Sequence, residues 1–516
     1  MDALPAASLL DHHRHPSMMR CLLGTLGLAV VAACGSGGDG NGNGNPGTGG
    51  PSAPVSPVVF IAMASPSGPS ELFLSDAGAP GTAVKVNPPL VDQGRVGPYA
   101  LSPDLGKAAY LAFQESITVE GLYLVDLATP GTSIRVNPAL PENRRFDEFA
   151  FSPDGSAIAY LADQDVAGRV ELYLAHVANP GVATRLGSAL QPGGDVTTGI
   201  GFSPDGTKIL YAADLDVDNR FELYLVDLAN PAMSTKVNGP LVDGGNLFTG
   251  FAFSPDGKWI AYIADQEVDG VPELYLVATA VPGTAAKLNA PLVAGGGLCS
   301  FRFSPDSARV AYCADQEVDG RVELYLVEVA QPGVATKLNA PLVDGGDISA
   351  QSYRFAPDGR FVVYHADQDT NNVFELYGVD VANPGAAYRI NSPLIAAGDV
   401  APAQRTPSFR ISADGRHVRY IADQETDETF ELYTVDLANP GVSVKLSAPV
   451  TVPGVAQLEQ TADGEHIVYH GFQVGGVPEL YRVAPGSPGV STRLNGELPA
   501  GGGIIDFSMA PGLRIP

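Results

Sequence analysis

The sequence has few cysteines, few basic residues and no catalytic serine motif. Its 516 residues include four cysteines, one tryptophan, and 30 lysines and arginines against 57 acidic residues, which gives a formal net charge of −27. Nucleic acids and anionic lipid surfaces both bind to positive faces, so this balance argues against either as a direct partner. No Gly-x-Ser-x-Gly segment is present. This motif carries the nucleophilic serine of α/β-hydrolases, so its absence argues against a hydrolase domain of that kind.

Long helical patterns are also missing. Beyond residue 57 no apolar stripe follows a period of 3.6 residues, so almost no helix is expected there. The 60 glycines and 43 prolines instead fit many short strands joined by tight turns.

A repeated phrase, Glu-Leu-Tyr-Leu-Val-Asp or a near copy, takes the place of those patterns. Its first leucines follow one another at steps of 50, 50, 51, 51, 50, 52, 56 and 48 residues. They are Leu72, Leu122, Leu172, Leu223, Leu274, Leu324, Leu376, Leu432 and Leu480. A period near 50 that is built of short strands and turns predicts a radial array of small sheets.

One repeat contains four strand patterns separated by turn residues. In the copy that begins at Gly297, strands are predicted at 298–303, 309–313, 323–327 and 336–339. Sister copies place Ser-Pro-Asp-Gly between the first and second strands, where these residues suit a hairpin turn with a left-handed last position. Four short antiparallel strands make one propeller blade.

The two ends of the repeated region complement each other. The pattern at 58–62 matches a second strand with no first strand before it, and 503–512 resembles a first strand and its turn with nothing after them. Pairing of the C-terminal strand with the N-terminal blade would close the ring and cover its edges. The predicted fold is therefore all-β, a single closed β-propeller of nine four-stranded antiparallel blades. Eight blades with one detached copy is the alternative.

The N-terminus predicts export. Residues 1–17 precede a credible start at Met18 or Met19 and are expected to be cleaved or never translated. A short apolar run then ends in Val-Ala-Ala before Cys34, which resembles the bacterial lipoprotein signal box. Residues 1–33 are thus predicted to be a signal peptide and Cys34 the lipidated residue, with an ordinary secretory signal as the alternative. Residues 34–57 are predicted to form a Gly/Ser/Pro tether with a reach on the order of 25 Å, and residues 58–516 the propeller.

Two cysteines remain in the predicted propeller. Cys299 and Cys313 flank the hairpin centred on Asp306, seven residues on either side, so in a simple register they face each other. An exported protein could oxidise such a pair to a disulfide. Two buried thiols are the alternative.

An acidic loop follows the second strand of most repeats. Its oxygen-bearing side chains occupy alternate positions, and calcium accepts six to eight oxygen ligands with flexible geometry. The spacing resembles the calcium loops of integrin-type propellers, in which a further acid occupies the ninth position. The candidate calcium ligands are Asp214, Asp216, Asp218, Asp265, Glu267, Asp269, Asp315, Glu317, Asp319, Asp367, Asp369, Asn371, Asp423, Glu425 and Asp427. The ninth position holds Glu222, Glu273, Glu323, Glu375 and Glu431.

Other observations favour solvated hairpin loops that bind no ion. The ninth-position glutamate also occurs as Glu71 and Glu479, in copies without an acidic triad, which predicts a structural role. No cofactor is required by the sequence, and calcium is the ion that these loops suggest. The loops are expected on one face of the ring together with the Leu-Val-Asp-Gly-Gly connections between blades. Such a negative face predicts a basic protein or peptide as partner.

The repeats resemble those of the TolB propeller, which also occur in prolyl oligopeptidase-type peptidases. Phe-Ser-Pro-Asp-Gly, a strand ending in Ala-Tyr and then Glu-Leu-Tyr-Leu carry the resemblance, most clearly in 151–174 and 253–277. The resemblance implies a propeller fold and protein binding in the periplasm. The chain lacks the N-terminal α/β domain of TolB, and its repeats are several residues longer.

Three functional hypotheses follow. The first is a lipid-anchored, cell-envelope propeller that acts as a monomeric binding platform for a protein or peptide, with membrane contact only through the lipid. The residue after Cys34 is glycine, which favours the outer membrane. The second is a hydrolase or lactonase-type enzyme with a cation at the channel mouth, and the third is a structural surface module. Because His365 and His470 occupy a repeat position that is elsewhere Leu, Ile or Cys, packing is predicted for both.

Overall fold

The structure, a computed structural model, describes residues 56–63, 65, 68–401, 408–473, 476–497, 502–510 and 512–514. The predicted signal peptide, Cys34 and nearly all of the predicted tether lie outside these residues. The described chain forms 37 β-strands in nine sheets and contains no helix. None of it, accordingly, is a helix long and apolar enough to cross a membrane.

Each sheet is one blade, and the blades are numbered here in chain order. Blade 1 contains β1 (Pro57–Met63), β2 (Ser70–Asp76) and β3 (Ala79–Lys85) together with β36 (Gly503–Ser508). Blade 2 contains β4 (Val96–Leu101), β5 (Lys107–Ala112), β6 (Gly121–Asp126) and β7 (Ser133–Arg135), with β37 (Gly512–Arg514) as a fifth strand. Blade 3 contains β8 (Phe146–Phe151), β9 (Ala157–Val166), β10 (Arg169–His176) and β11 (Ala183–Arg185).

The middle blades repeat this pattern. Blade 4 contains β12 (Val196–Phe202), β13 (Lys208–Ala213), β14 (Glu222–Asp227) and β15 (Ser234–Lys236). Blade 5 contains β16 (Leu247–Phe253), β17 (Trp259–Ala264), β18 (Glu273–Ala278) and β19 (Ala286–Lys287). Blade 6 contains β20 (Leu298–Phe303), β21 (Arg309–Ala314), β22 (Glu323–Glu328) and β23 (Ala335–Lys337).

The last three blades complete the ring. Blade 7 contains β24 (Ile348–Phe355), β25 (Phe361–Ala366), β26 (Glu375–Asp380) and β27 (Tyr388–Arg389). Blade 8 contains β28 (Phe409–Ile411), β29 (His417–Ala422), β30 (Glu431–Asp436) and β31 (Ser443–Lys445). Blade 9 contains β32 (Val455–Gln460), β33 (Ile467–Gly471), β34 (Glu479–Val483) and β35 (Ser491–Arg493).

The core of the protein lies between the blades. In β21, Val310, Tyr312 and Ala314 pack into the core shared with blade 5, whereas Ala311 and Cys313 pack into the core shared with blade 7. Alternate residues of a strand therefore pack against alternate neighbours, so the middle residues of β21 and β22 are apolar on both faces instead of alternating with polar residues. Stacked tyrosines, such as Tyr312 and Tyr325 with ring centroids 5.4 Å apart, join the two strands.

Nine such cores run around the ring, one between each pair of consecutive blades among the described residues. The core between blades 9 and 1 contains Leu480 and Leu494 from blade 9 with Val58 and Phe60 from blade 1. The prediction of a closed nine-bladed propeller is confirmed, and the alternative of eight blades with a detached copy is wrong.

The C-terminal segment closes the ring as predicted. β36 pairs with β1 in antiparallel register, Phe60 opposite Phe507, and takes the place of the missing first strand of blade 1. β37 then pairs with β4, the first strand of blade 2. The first strands form the inner edges of the blades, where those of neighbouring blades approach one another.

The Ser-Pro-Asp-Gly turns have the predicted geometry. Gly155 has a φ of 69°, and the Asp154 carboxylate accepts the Ser152 hydroxyl at 2.6 Å and the Ser156 amide at 3.0 Å. In blade 6 a serine replaces the glycine, and Ser307 adopts the left-handed conformation with a φ of 61°.

The predicted pairing of Cys299 with Cys313 is wrong in register. The turn is centred between Asp306 and Ser307, so Cys313 lies opposite Ser300, and a β-bulge interrupts the register between Leu298 and Ser300. The Cys313 Sγ lies 3.2 Å from the Ser300 hydroxyl and 3.1 Å from the Ala350 carbonyl oxygen. No disulfide joins these two described cysteines.

Ring closure yields a first prediction. Phe507→Ala removes a fully buried ring from the strand that closes blade 1, and is expected to lower the free energy of unfolding by roughly 3–5 kcal/mol. Ile505→Ala, on the same strand but 37% exposed, is the control and should cost about 0.5 kcal/mol or less. Urea unfolding of the two variants measures the difference, and equal losses would contradict the role of β36 in closure.

Candidate functional site

The first acid of each loop holds the backbone in place. Asp367 accepts the Asp347 amide at 2.6 Å with one carboxylate oxygen and the Asn372 amide at 2.8 Å with the other. Asp163, Asp214, Asp265, Asp315 and Asp423 make the equivalent pair of bonds, to the connection that enters their blade and to the residue five positions later. These carboxylates are buried, and both oxygens are occupied by backbone donors.

The second acid of each loop pairs with a lysine of the fourth strand where that strand supplies one. The bonds are Asp216–Lys236 at 2.6 Å, Glu267–Lys287 at 2.7 Å, Glu317–Lys337 at 2.8 Å and Glu425–Lys445 at 2.6 Å. In blade 7, Asp369 lies near the Tyr377 hydroxyl, and an arginine replaces the lysine.

The same lysine also binds the ninth-position glutamate. Glu323 is buried, its carboxylate lies 2.8 Å from the Lys337 ammonium, and it accepts the Tyr325 hydroxyl at 3.0 Å. Burial alone would lower the pKa of Lys337, but the hydrogen bonds to Glu317 and Glu323 raise it above its ordinary value. Glu71–Lys85, Glu375–Arg389 and Glu479–Arg493 form the equivalent pairs in blades 1, 7 and 9. The glutamate is therefore structural, as its presence in copies without an acidic triad predicts.

Blade 2 is the exception to this network. Gly121 stands where the other blades have glutamate, and the Tyr123 ring fills the space, since a Cβ on Gly121 would lie 2.7 Å from it. Arg135 instead binds Glu115 of the loop at 3.2 Å.

The third position of each loop lies beside the connection between blades. A Cβ on Gly295, whose φ is 88°, would lie 2.9 Å from the Asp319 carboxylate group, so the connection needs glycine there. Asp218, Asp269 and Asn371 lie beside Gly193, Gly244 and Gly345 in the same way. Among the residues described, Asp218, Asp269, Asp319 and Asp427 form no ion pair.

The three positions of a loop do not meet at one point. The first binds backbone amides, the second binds a lysine and the third lies over a glycine turn. Within the described ranges, no group of three or more His, Cys, Asp or Glu side chains is arranged to hold a metal ion. Calcium binding at these loops stays a prediction. A comparison of thermal unfolding in chelator and in millimolar Ca²⁺ would test it.

The loops and the connections share one end of the ring, here called the loop face. The Val293 and Val343 amides of two connections donate to the Gln316 and Gln368 carbonyls of the adjoining loops, each at 3.0 Å. The Ser-Pro-Asp-Gly turns lie at the other end, here called the hairpin end, because antiparallel strands alternate in direction. Loop tips carry an exposed valine between two exposed acids, as with Val318 between Glu317 and Asp319.

The connections contain contacts that the sequence reasoning missed. Asp195 enters blade 4 and accepts the Val170 amide of blade 3 at 2.8 Å, while its own amide donates to Asp214. Asn246 and Asp399 make the same contact to the preceding blade. The signal was available, since an Asp or Asn ends several Gly-Gly connections in the repeat.

His365 and His470 are buried, in agreement with the packing role predicted for them. The His365 ring lies 2.7 Å from the Ser349 hydroxyl and 3.1 Å from the Val400 carbonyl oxygen, and it stacks on Phe374 at 5.0 Å. Burial lowers the pKa of His365 to about 4.

A second prediction concerns the glutamate–lysine network. Glu323→Gln removes the buried charge that binds Lys337 and Tyr325, and is expected to cost about 2–3 kcal/mol of unfolding free energy. Glu317→Gln removes the exposed partner of the same lysine and should cost under about 1 kcal/mol. Urea unfolding separates the two cases. A larger loss of unfolding free energy for Glu317→Gln would mean that Lys337 stabilises the protein mainly through the loop acid and not through the buried glutamate.

A third prediction concerns pH. The unfolded chain protonates His365 near its ordinary pKa of about 6.5, whereas the folded chain does so only near 4. Falling pH therefore favours unfolding across that window, by roughly 3 kcal/mol in total from this residue. His365→Ile, which copies the residue of blades 5 and 8, should flatten the decline of the thermal midpoint between pH 6.5 and 4. An unaltered slope would show that His365 does not carry this dependence.

Comparison with known proteins agrees with the architecture. Residues 242–402 match the family model described as the lipoprotein LpqB beta-propeller domain. No curated protein matches the chain. Dipeptidyl peptidase 4 of Porphyromonas gingivalis is 14% identical with a TM-score of 0.54, over 78% of this chain and 60% of that one.

Two further solved structures are more distant in shape. TolB of Acinetobacter baumannii is 20% identical with a TM-score of 0.30, over 55% of this chain and 61% of that one. An oligogalacturonate lyase of Vibrio parahaemolyticus is 15% identical with a TM-score of 0.38, over 75% and 96%. The chain thus spans less than two thirds of the dipeptidyl peptidase and TolB chains. Its repeats form a β-propeller, as their resemblance predicts, and blades 5 to 7 lie within the segment that matches the propeller domain of the LpqB lipoprotein.

Proposed function

We propose that this protein is a lipid-anchored propeller of the cell envelope that binds a basic protein or peptide segment on its loop face. The observation that carries the proposal is the set of exposed carboxylates at the third loop position, Asp218, Asp269, Asp319 and Asp427. They belong to blades 4, 5, 6 and 8, so they form an arc of negative charge around one end of the ring.

The ion pairs that the basic residues form support this choice of partner. The lysines nearest to the loops already bind two acids each, as Lys287 binds Glu267 and Glu273, so they leave the third-position acids uncompensated. Exposed valines between the acids, such as Val268 at 58% exposure, add apolar contact area to each loop tip. A basic segment with small apolar side chains fits this surface by charge and by contact.

The anchor rests on the sequence and on the family match. Cys34 follows the lipoprotein-like box, and the model matched by residues 242–402 is described as a lipoprotein domain. We propose the outer membrane as the site of anchoring and a monomeric ring as the working form. We propose binding without catalysis, since the repeated loops use their acids in near-identical structural roles.

A fourth prediction tests where the partner binds. A photoactivatable amino acid at Val318, on the loop face of blade 6, should crosslink the lipidated protein to a defined partner in intact cells. The same amino acid at Ala308, exposed at the hairpin end of the same blade, is the control and should not. Mass spectrometry of the adducts identifies the partner. Equal adducts from both positions, or none from Val318, would contradict binding at the loop face.

The charge requirement is measured on the same complex. The variant Asp218→Asn, Asp269→Asn, Asp319→Asn and Asp427→Asn should bind the partner roughly tenfold more weakly at low salt, since exposed charges contribute about 0.2–1 kcal/mol each. A matched variant neutralises four acids at the hairpin end, Asp126→Asn, Glu328→Gln, Asp380→Asn and Glu465→Gln, and should leave the affinity unchanged.

A further inference from the structure

Three arginines occupy one repeat position on the inner edges of consecutive blades. Arg302, Arg354 and Arg410 lie on β20, β24 and β28, the first strands of blades 6, 7 and 8. The equivalent residues of blades 3, 4 and 5 are small, namely Ala150, Gly201 and Ala252. Arginine thus replaces a small residue in three adjacent blades and places three cations along one sector of the inner edge of the ring.

Their neighbours neutralise the cluster only in part. Arg410 binds the buried Glu459 of blade 9 at 2.7 Å and 3.3 Å. Arg302 donates to the Gln351 carbonyl at 3.3 Å and lies over the Tyr353 ring at 5.7 Å. In the described part of the chain, Arg354 forms no ion pair.

Arg354 occupies an unfavourable site for a lone cation. Burial lowers its pKa to about 9, the charges of Arg302 and Arg410 act in the same direction, and Glu459 opposes them. The buried ninth-position glutamates are each paired with a lysine or arginine, so an incompletely compensated cluster of arginines departs from that pattern. Desolvated charges of one sign are stable together when a counter-charge lies among them.

We propose that Arg302, Arg354 and Arg410 bind an oxyanion, the carboxylate or phosphate group of a small multiply charged ligand, in the central channel. The guanidinium group is planar and donates two parallel hydrogen bonds to such a group, which lysine cannot do. The ligand is small because it must reach the inner strands within the ring. This site lies on the inner edge and has the opposite charge from the loop face, so it is independent of the proposed protein partner.

A fifth prediction tests the site with defined anions. Titration calorimetry of the full protein with citrate and with pyrophosphate, against chloride at equal ionic strength, should show binding of one anion per chain. Thermal unfolding with the same anions should show a higher midpoint than in chloride. Preference for citrate assigns the site to carboxylates, and preference for pyrophosphate assigns it to phosphates. If neither binds more tightly than chloride, the proposal is wrong.

Variants locate the binding. Arg354→Gln should weaken anion binding at least tenfold, and Arg354→Lys, which keeps the charge but loses the planar fork, should weaken it less. Arg416→Gln removes an exposed arginine that binds Asp436 at the hairpin end, and should bind as the unaltered protein does. Equal effects of Arg354→Gln and Arg416→Gln would overturn the assignment.

Stability without anion separates a binding role from a structural one. Arg354→Gln removes a cation that two neighbours repel, so in anion-free buffer its thermal midpoint should equal or exceed that of the unaltered protein. A markedly lower midpoint would mean that Arg354 stabilises the ring itself, and would overturn the proposal even if anion binding were lost.

Discussion

The rest of the structure depends on the packing of each sheet against two neighbours. Every blade is buried on both faces, and successive residues of a strand such as β21 alternate between the core before it and the core after it. A single blade would therefore expose two apolar faces, which is why a blade is stable only within a closed series. The pairing of β36 with β1 completes that series by supplying the inner strand of blade 1.

Most of this fold could be predicted from the spacing of one phrase. The nine copies predict nine blades, the Ser-Pro-Asp-Gly turns predict the hairpins, and the mismatched ends predict the closure. The register of Cys299 and Cys313 could not be predicted in the same way. It depends on the centre of the turn, which lies between Asp306 and Ser307 and not at Asp306, and on the β-bulge between Leu298 and Ser300.

The candidate site was harder to predict than the fold. Asp315 and Asp319 are the same residue type at alternate positions, yet the first caps backbone amides and the second is exposed beside a glycine turn. A carboxylate that ligates a cation and one that accepts amides look alike in a sequence, since both need oxygen acceptors at the end of a strand. The structural role of Glu323 was easier to predict, because its counterparts Glu71 and Glu479 occur in repeats that have no acidic triad. The arginine cluster is visible only when the repeats are aligned, since its members are about 50 residues apart.

The distribution of charge is the property that near-identical blades leave free to vary. Contacts that hold a blade together recur around the ring, whereas the inner-edge position changes from alanine or glycine to arginine and then to Glu459. The loop tips vary less and stay acidic. One scaffold thus supports two surfaces of opposite sign without altering the packing between its sheets.

β37 shows how much room the centre of the ring provides. This segment continues past the closing strand and adds to the free edge of β4, so that blade 2 alone among the nine described sheets has five strands. Neighbouring strands in a sheet lie about 4.8 Å apart, so the interior accommodates the width of an extra polypeptide backbone along blade 2. The nine blades are therefore not equivalent at the inner edge. In blade 2, β37 covers the backbone amides and carbonyls along β4, whereas the other described blades have no such added strand.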